Sequence, residues 1–371
     1  AGIPYSAARV FEDWRQLVGQ PKLADVAVIA VQDALHAEVA VPLAGKGYHL
    51  LLEKPMATTE EDCRAIVEAV VEARVLMSVG HVLRYTPYTK KVKEVLDSGS
   101  IGELVSVQHL EPVGFWHQAH SFVRGNWGRE ADSTFMLLAK SCHDLDWLRY
   151  VMGHPWKQVS SFGGLHHFKA DALPDGAGER CLECSIESTC PYSARRLYLD
   201  PVINDGKTGW PMSIVVPEGV TRAAVRDALE HGPYGRCVYR CDNDVVDHQV
   251  VNLQFANGAT AVFTMTAFTE SAPRKTRFFG TMGSLEGDGE SLELYDFVKR
   301  EGTPIEIDPP EAGMGLHGGG DFGVIDGLIE ALRTGDSSSI LSGPEVSLES
   351  HLLVFAAEKA RLENRVIVAG S

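Results

Sequence analysis

The stretch Leu51-Leu52-Glu53-Lys54-Pro55 ends an apolar run on a Glu-Lys pair followed by proline. In open α/β sheets, ligands bind outside the carboxyl ends of the strands. A lysine at such an end is a candidate catalytic group, because an ammonium can stabilise negative charge developing on an oxygen or relay its proton. Glu53 beside it can tune that charge. Cysteine forms a second concentration of chemistry. Cys181-x-x-Cys184 and Cys190 bring three thiols within ten residues, and Cys237 or Cys241 offers a fourth, with His166 and His167 as weaker choices. That pattern fits a closed tetrahedral zinc site stapling a long connecting region; free thiols in a loop are the alternative. A redox C-x-x-C is disfavoured, because no thioredoxin-like unit surrounds it. A third pattern, Gly318, Gly320 and Gly323, spells G-x-G-x-x-G ahead of a helix-like run. The dinucleotide-binding form of that pattern needs a strand immediately before it. Residues 309–314 read as loop, so no pyrophosphate site is expected there.

These residues need elements to hold them. Residues 26–31, 49–52 and 75–79 are short apolar runs that read as strands, with Pro55 stopping the second. Helix-like segments at 12–17, 35–44 and 59–74 alternate with them. Thr59 is placed as an N-cap, and Glu60, Glu61 and Asp62 sit in the first turn, where the helix dipole favours acids. This alternation predicts a parallel sheet with right-handed helical crossovers. After Gly80 the pattern changes. Residues 102–113 alternate through Leu104, Val105 and Val107 as a half-exposed strand of an antiparallel sheet. Residues 135–151 read as helix and 159–167 as strand. Residues 248–255 and 260–268 read as strands joined by an Asn257-Gly258 hairpin turn. Strand patterns continue to about 307, and two helices near 321–333 and 344–362 finish the chain. Residues 169–240, rich in Gly, Pro and Cys, read as a large insertion or loop region.

Composition excludes several classes. With 371 residues, 44% hydrophobic and 23% charged, the chain matches an ordinary globular protein long enough for two domains. A net charge of −16 argues against nucleic acid or an anionic membrane surface as partner. No apolar run reaches membrane-spanning length. Ala1-Gly2-Ile3-Pro4-Tyr5 shows no secretion pattern. A cytoplasmic location is therefore expected, with the seven cysteines outside any disulfide framework.

Seven motifs, in order along the chain, carry a resemblance. They are Ala30-Val31-Gln32-Asp33-Ala34-Leu35-His36, Glu53-Lys54-Pro55, Gly80-His81-Val82-Leu83-Arg84-Tyr85 with Pro87, and Gly99-Ser100-Ile101-Gly102. His143-Asp144-Leu145-Asp146, Gly280-Thr281-Met282-Gly283-Ser284-Leu285 and the stretch 317–321 complete the set. From about Val10 to Val368 the chain resembles the Gfo/Idh/MocA oxidoreductases, a family that includes glucose–fructose oxidoreductase and inositol dehydrogenase. The resemblance implies an α/β fold: a Rossmann-type parallel sheet domain, here truncated, over 1–82. An α+β domain with a large, open, mostly antiparallel sheet follows over 83–371. Within it lie a Cys-rich insertion at 169–241 and C-terminal helices at 321–362.

The implied chemistry is hydride transfer between NAD or NADP and a hydroxyl-bearing carbon of a sugar, polyol or related substrate. Carried over by position, Lys54 matches the active-site lysine and His143 the active-site histidine. Histidine suits acid/base work because its pKa lies near neutrality. Gln32, His36, Glu53, Lys54 and Pro55 fall on the cofactor side. Arg84 and Tyr85 fall on the segment reaching the nicotinamide region, on the substrate side. Many members carry an aspartate four residues before the histidine; here that position is Ala139. Lys140, three residues before His143 on the same helix face, is placed to bind substrate instead. Trp127, with Trp116, His117 and His120, either lines a sugar site or packs a loop. A homodimer or homotetramer through the open sheet face is implied as well. Two other readings are an NAD-dependent glycoside hydrolase, which oxidises its sugar transiently, and a non-catalytic binding protein that has lost the cofactor loop. Family members open with a strand and the glycine-rich turn, whereas the only glycines before Val26 are Gly2 and Gly19. One βαβ unit is therefore expected to be missing from a longer protein.

Overall fold

The computed structural model describes residues 10–309 and 316–370. The chain divides into two compact units, Ala1–Lys91 with Asp308–Leu352, and Val92–Ile307 with Leu353–Ser371. No described helix is long and apolar enough to cross a membrane.

In the first unit, β1 (Val26–Ile29), β2 (His49–Leu52) and β3 (Met77–Val79) form a parallel sheet in the order β1-β2-β3. Helices His36–Gly45 and Glu60–Ala73 make the crossovers. The second begins as its sequence dictates. The Thr59 side chain accepts from the Asp62 amide at 3.1 Å, and Cys63, Ile66, Val67 and Val70 recur on the buried face. Leu50 and Leu52 of the middle strand are fully buried, whereas Val28 on the edge strand is 67% exposed. All three strands run the same way, so the loops that follow them share one end of the sheet.

The second unit is built on a nine-stranded sheet. Its strands are β4 (Leu104–Pro112), β5 (Trp156–Gly164), β6 (His248–Phe255), β7 (Thr260–Thr266), β8 (Lys275–Gly280), β9 (Gly283–Gly287), β10 (Leu292–Asp296), β11 (Glu301–Pro304) and β12 (Ile367–Val368). Their order is β11-β10-β9-β8-β4-β7-β6-β5-β12. The strand expected in an antiparallel setting, β4, lies at the centre; it pairs antiparallel with β8 but parallel with β7. The Asn257-Gly258 turn forms, with Gly258 at φ +90° and the Asn257 side chain accepting from the Ala259 amide at 3.1 Å. Helix Met136–Met152 covers one sheet face: Ser141 Oγ reaches Met265 Sδ at 3.2 Å, and the Trp147 ring lies 6.0 Å from that of Phe278. On the other face Val262 and Phe279 are exposed.

Residues 169–240 are more than a loop. They contain helix Arg222–His231, capped by Thr221, which buries Val225 and Leu229 one turn apart. The i, i+4 apolar pair behind a threonine cap was the available signal, masked by the surrounding Gly, Pro and Cys. Two buried clusters stabilise this region, one around Tyr198, Met212 and Leu229, the other around Phe168, Tyr192 and Tyr239.

Candidate active site

In the first unit, Lys54 stands two residues after β2 and is partly buried, with Glu53 exposed beside it and Gln32 exposed on the loop after β1. The Lys54-Pro55 peptide is cis. The turn is held on two sides. His36 is completely buried, with Nδ1 2.8 Å from Pro55 O and Nε2 3.2 Å from Val31 O. The Met56 amide donates to His351 Nε2 at 2.8 Å, which leaves the proton on His351 Nδ1 to bond Ser347 O at 2.7 Å. Sequence reasoning missed His351, because it meets the turn only through the fold. Gly80, on the loop after β3, closes the arrangement. A Cβ there would lie 3.0 Å from Glu53 Oε2 and 3.5 Å from Lys54 N.

Arg84 and Tyr85, expected on the substrate side, bond groups of the chain's own first unit. Arg84 is buried and donates to Leu341 O at 2.6 Å. The Tyr85 hydroxyl accepts from the Ser342 amide at 3.1 Å and lies 3.0 Å from Ser342 Oγ. Their polar atoms anchor the 341–350 segment, which is a packing role. The G-x-G-x-x-G pattern belongs to the same packing; residues 310–314 of the preceding stretch, expected as loop, lie outside the described residues. A Cβ on Gly320 would lie 2.3 Å from Val82 O, and one on Gly323 2.6 Å from Tyr85 Cβ. These glycines let helix Gly320–Thr334 approach the 82–85 turn. Nearby, His317 is exposed and paired with Asp321 at 3.0 Å.

In the second unit, helix Met136–Met152 carries Lys140 and His143 three residues apart, with His143 8% exposed. Lys140 Nζ lies 3.2 Å from Glu111 Oε1. Glu111 Oε2 lies 3.1 Å from Arg274 Nε, and Arg274 also grips Asp144. His109 completes the group, with Nε2 3.1 Å from Asp144 Oδ1 and Nδ1 2.7 Å from Thr276 Oγ1. Burial alone would push the Asp144 carboxyl up. The Arg274 guanidinium and His109 overcome that and hold it well below the usual carboxylate range. Asp144 is thus a fixed anion on the helix that also carries Lys140 and His143. Glu111 and Arg274 were missed because they meet only through the fold, one at the end of β4 and one just before β8.

The aromatic residues considered for sugar contact are distributed differently. Trp127 is half-buried, its ring 6.2 Å from Phe122. Trp116, His117 and His120 gather around Trp210 at 5.1–5.5 Å. Cys181, Cys184, Cys190 and Cys237 line one cavity, whereas Cys241 is not among its lining residues and its Sγ lies 3.4 Å from Cys237 O. All seven cysteines are free thiols. Among the described residues, no three His, Cys, Asp or Glu side chains converge as a formed metal site.

The residues present fit one end of a dinucleotide. Three parallel strands deliver Gln32, Glu53–Pro55 and Gly80 to one sheet end, and Gly80 keeps that end free of a side chain. Among the described residues, β1 is preceded by helix Trp14–Gly19 and not by a glycine-rich strand-to-helix turn.

Comparison with known proteins places this architecture in a class. Residues 4–81 match the model for the oxidoreductase family with an NAD-binding Rossmann fold, and residues 93–361 match that family's C-terminal alpha/beta domain. The chain is a member of the Gfo/Idh/MocA oxidoreductase family. It is 24% identical to the oxidoreductase YteT of Bacillus subtilis strain 168, over 94% of this chain and 81% of that protein. Inositol 2-dehydrogenase of Rubrobacter xylanophilus is 32% identical over 157 residues, 42% of this chain and 41% of that enzyme. Among solved structures, levoglucosan dehydrogenase in complex with NADH and L-sorbose shares the fold. Its TM-score is 0.70 at 18% identity, covering 97% of this chain and 83% of that one.

Proposed function

We propose that this oxidoreductase transfers hydride between NAD or NADP and a hydroxyl-bearing carbon of a sugar or polyol, with Lys54 of the first unit and His143 of the second as its candidate catalytic residues. The observation that carries the reading is the Lys54-Pro55 turn. It stands at the carboxyl end of the middle parallel strand, bonded by buried His36 on one side and His351 on the other. The two bonds fix the backbone that follows Lys54, as a positioned catalytic group requires. When bound, the nicotinamide supplies or takes the hydride. Gln32, Glu53, Lys54 and Pro55 would hold the cofactor, Lys54 would steady the substrate oxygen, and His36 acts through Pro55 as a positioning residue. His143 exchanges the hydroxyl proton, and Lys140 binds a substrate hydroxyl. Trp127 offers a sugar ring an aromatic face. The exposed sheet face bearing Val262 and Phe279 supports assembly as a homodimer or homotetramer.

Relatives named for inositol and levoglucosan oxidation suggest those two compounds as first substrates. The test is absorbance of reduced nicotinamide on mixing the protein with NAD+ or NADP+ and each compound. Net formation of NADH or NADPH is expected. Sugar release from a glycoside with no net reduced nicotinamide would instead mark a glycoside hydrolase.

A further inference from the structure

We propose that Cys181, Cys184, Cys190 and Cys237 bind one zinc ion, with Arg124 as its buried counter-charge. Two short turns and a bridge deliver the thiols. Turn Cys181–Glu183 ends on Cys184 and turn Glu187–Thr189 ends on Cys190. Each is closed by a backbone bond, Cys184 N to Cys181 O at 3.3 Å and Cys190 N to Glu187 O at 3.2 Å. An antiparallel bridge between Arg180 and Arg236 sets Cys181 beside Cys237, and Cys237 N donates to Glu179 O at 2.9 Å. The four thiols line a cavity of about 20 Å³, room for one water-sized sphere.

Arg124 is the independent observation. It lines the same cavity and is 4% exposed. It donates to Arg236 O and Tyr192 O at 2.8 Å each and to Cys181 Sγ at 3.4 Å, while its Nη1 makes no well-aligned bond. None of these partners is a carboxylate. A guanidinium stays charged, and burying one without an anion is costly. Four thiolates around Zn²⁺ carry two net negative charges and meet that need.

The thiols as they stand do not converge as a formed site. Zn–S bonds of about 2.3 Å ask each side chain to rotate inward, into a cavity that all four already line. Binding breaks four S–H bonds, forms four Zn–S bonds and releases the protons to water; no electron moves. Cys181 belongs to the buried cluster of Tyr198 and Leu229, and Cys237 to that of Phe168 and Tyr239. The ion ties the two clusters together, a structural task separate from hydride transfer.

The test is metal analysis of the whole chain, purified under reducing conditions without chelators or metal resins. One zinc per chain is expected, and cobalt reconstitution of the stripped protein should give a thiolate-to-cobalt charge-transfer band. In Arg124→Gln, zinc should pass to a competing chelator at about tenfold lower chelator concentration. Protein without zinc whose stripped form gives no such band would overturn the proposal, as would four cysteines found paired in disulfides. Metal content is read without turnover, so the result stands apart from the oxidoreductase reading.

Discussion

Lys140 Nζ lies 3.2 Å from one oxygen of Glu111, and the other oxygen of Glu111 lies 3.1 Å from Arg274 Nε. One buried carboxylate thus aligns two cations, and the lysine it holds sits on the helix that carries His143. Charge-assisted contacts of this kind fix a flexible side chain in one geometry. In Glu111→Gln, Lys140 keeps its charge but loses its anchor. The expected result is a rise in KM for the sugar or polyol of about tenfold, with kcat within about threefold. Steady-state kinetics check it, and a collapse of kcat at unchanged KM would contradict it.

The Asp144–Arg274 pair is a stability element. The native Asp144 pKa is depressed, so its contribution is present above the unfolded carboxylate pKa and lost as pH falls through the native value. Arg274→Met leaves Asp144 buried without its cation and should cost about 3–5 kcal/mol. Adding Asp144→Asn should restore part of that loss. A denaturant double-mutant cycle with a coupling energy below about 0.5 kcal/mol would show that the two are independent.

Gly323 tests the role of the glycine pattern. A methyl there would lie 2.6 Å from Tyr85 Cβ. Gly323→Ala should therefore destabilise the fold by about 1–3 kcal/mol through overpacking. Nicotinamide nucleotide affinity, measured on protein kept below its unfolding temperature, should stay unchanged. A large loss of affinity in folded protein would return the pattern to phosphate binding.

His120 supplies a pH signature. Burial, with Arg124 nearby, pushes its imidazole down to about 4, and its Nδ1 lies 3.0 Å from the Tyr198 hydroxyl. A histidine depressed in the native state is protonated first in the unfolded state. Stability should therefore fall as pH drops from about 6.5 to about 4, by roughly 3 kcal/mol at most. His120→Gln should flatten that part of the stability profile, as read by denaturant melts at pH 7 and pH 5. An unchanged profile would remove His120 as the cause.

The parts of the fold legible in sequence were those set by local pattern. Strand His49–Leu52 and the Thr59 cap follow from apolar runs and capping chemistry, and the Asn257-Gly258 turn from its φ requirement. The parallel pairing of β4 with β7 was not legible, because strand alternation does not encode the direction of a neighbour. The site followed the same division. Lys54 and His143 stand on elements that their own sequence motifs define. The groups that hold the turn after Lys54 and the ion-pair chain of Lys140, namely His351, Glu111 and Arg274, come from distant segments and look like ordinary core or surface residues in sequence. Arg84 and Tyr85 show the same limit. Their motif placed them near the site, but the carbonyl and hydroxyl groups they bond were invisible without the fold.

The most direct test is turnover of His143→Ala beside its nicotinamide affinity, both measured on the whole chain. Reduced nicotinamide formed from the sugar or polyol should fall by at least about 100-fold. NADH binding, followed by its fluorescence, should stay within about twofold of the parent protein, because His143 serves the substrate proton and not the cofactor. Parent-level turnover in His143→Ala would contradict the assignment of this histidine and, with it, the proposed chemistry of the site.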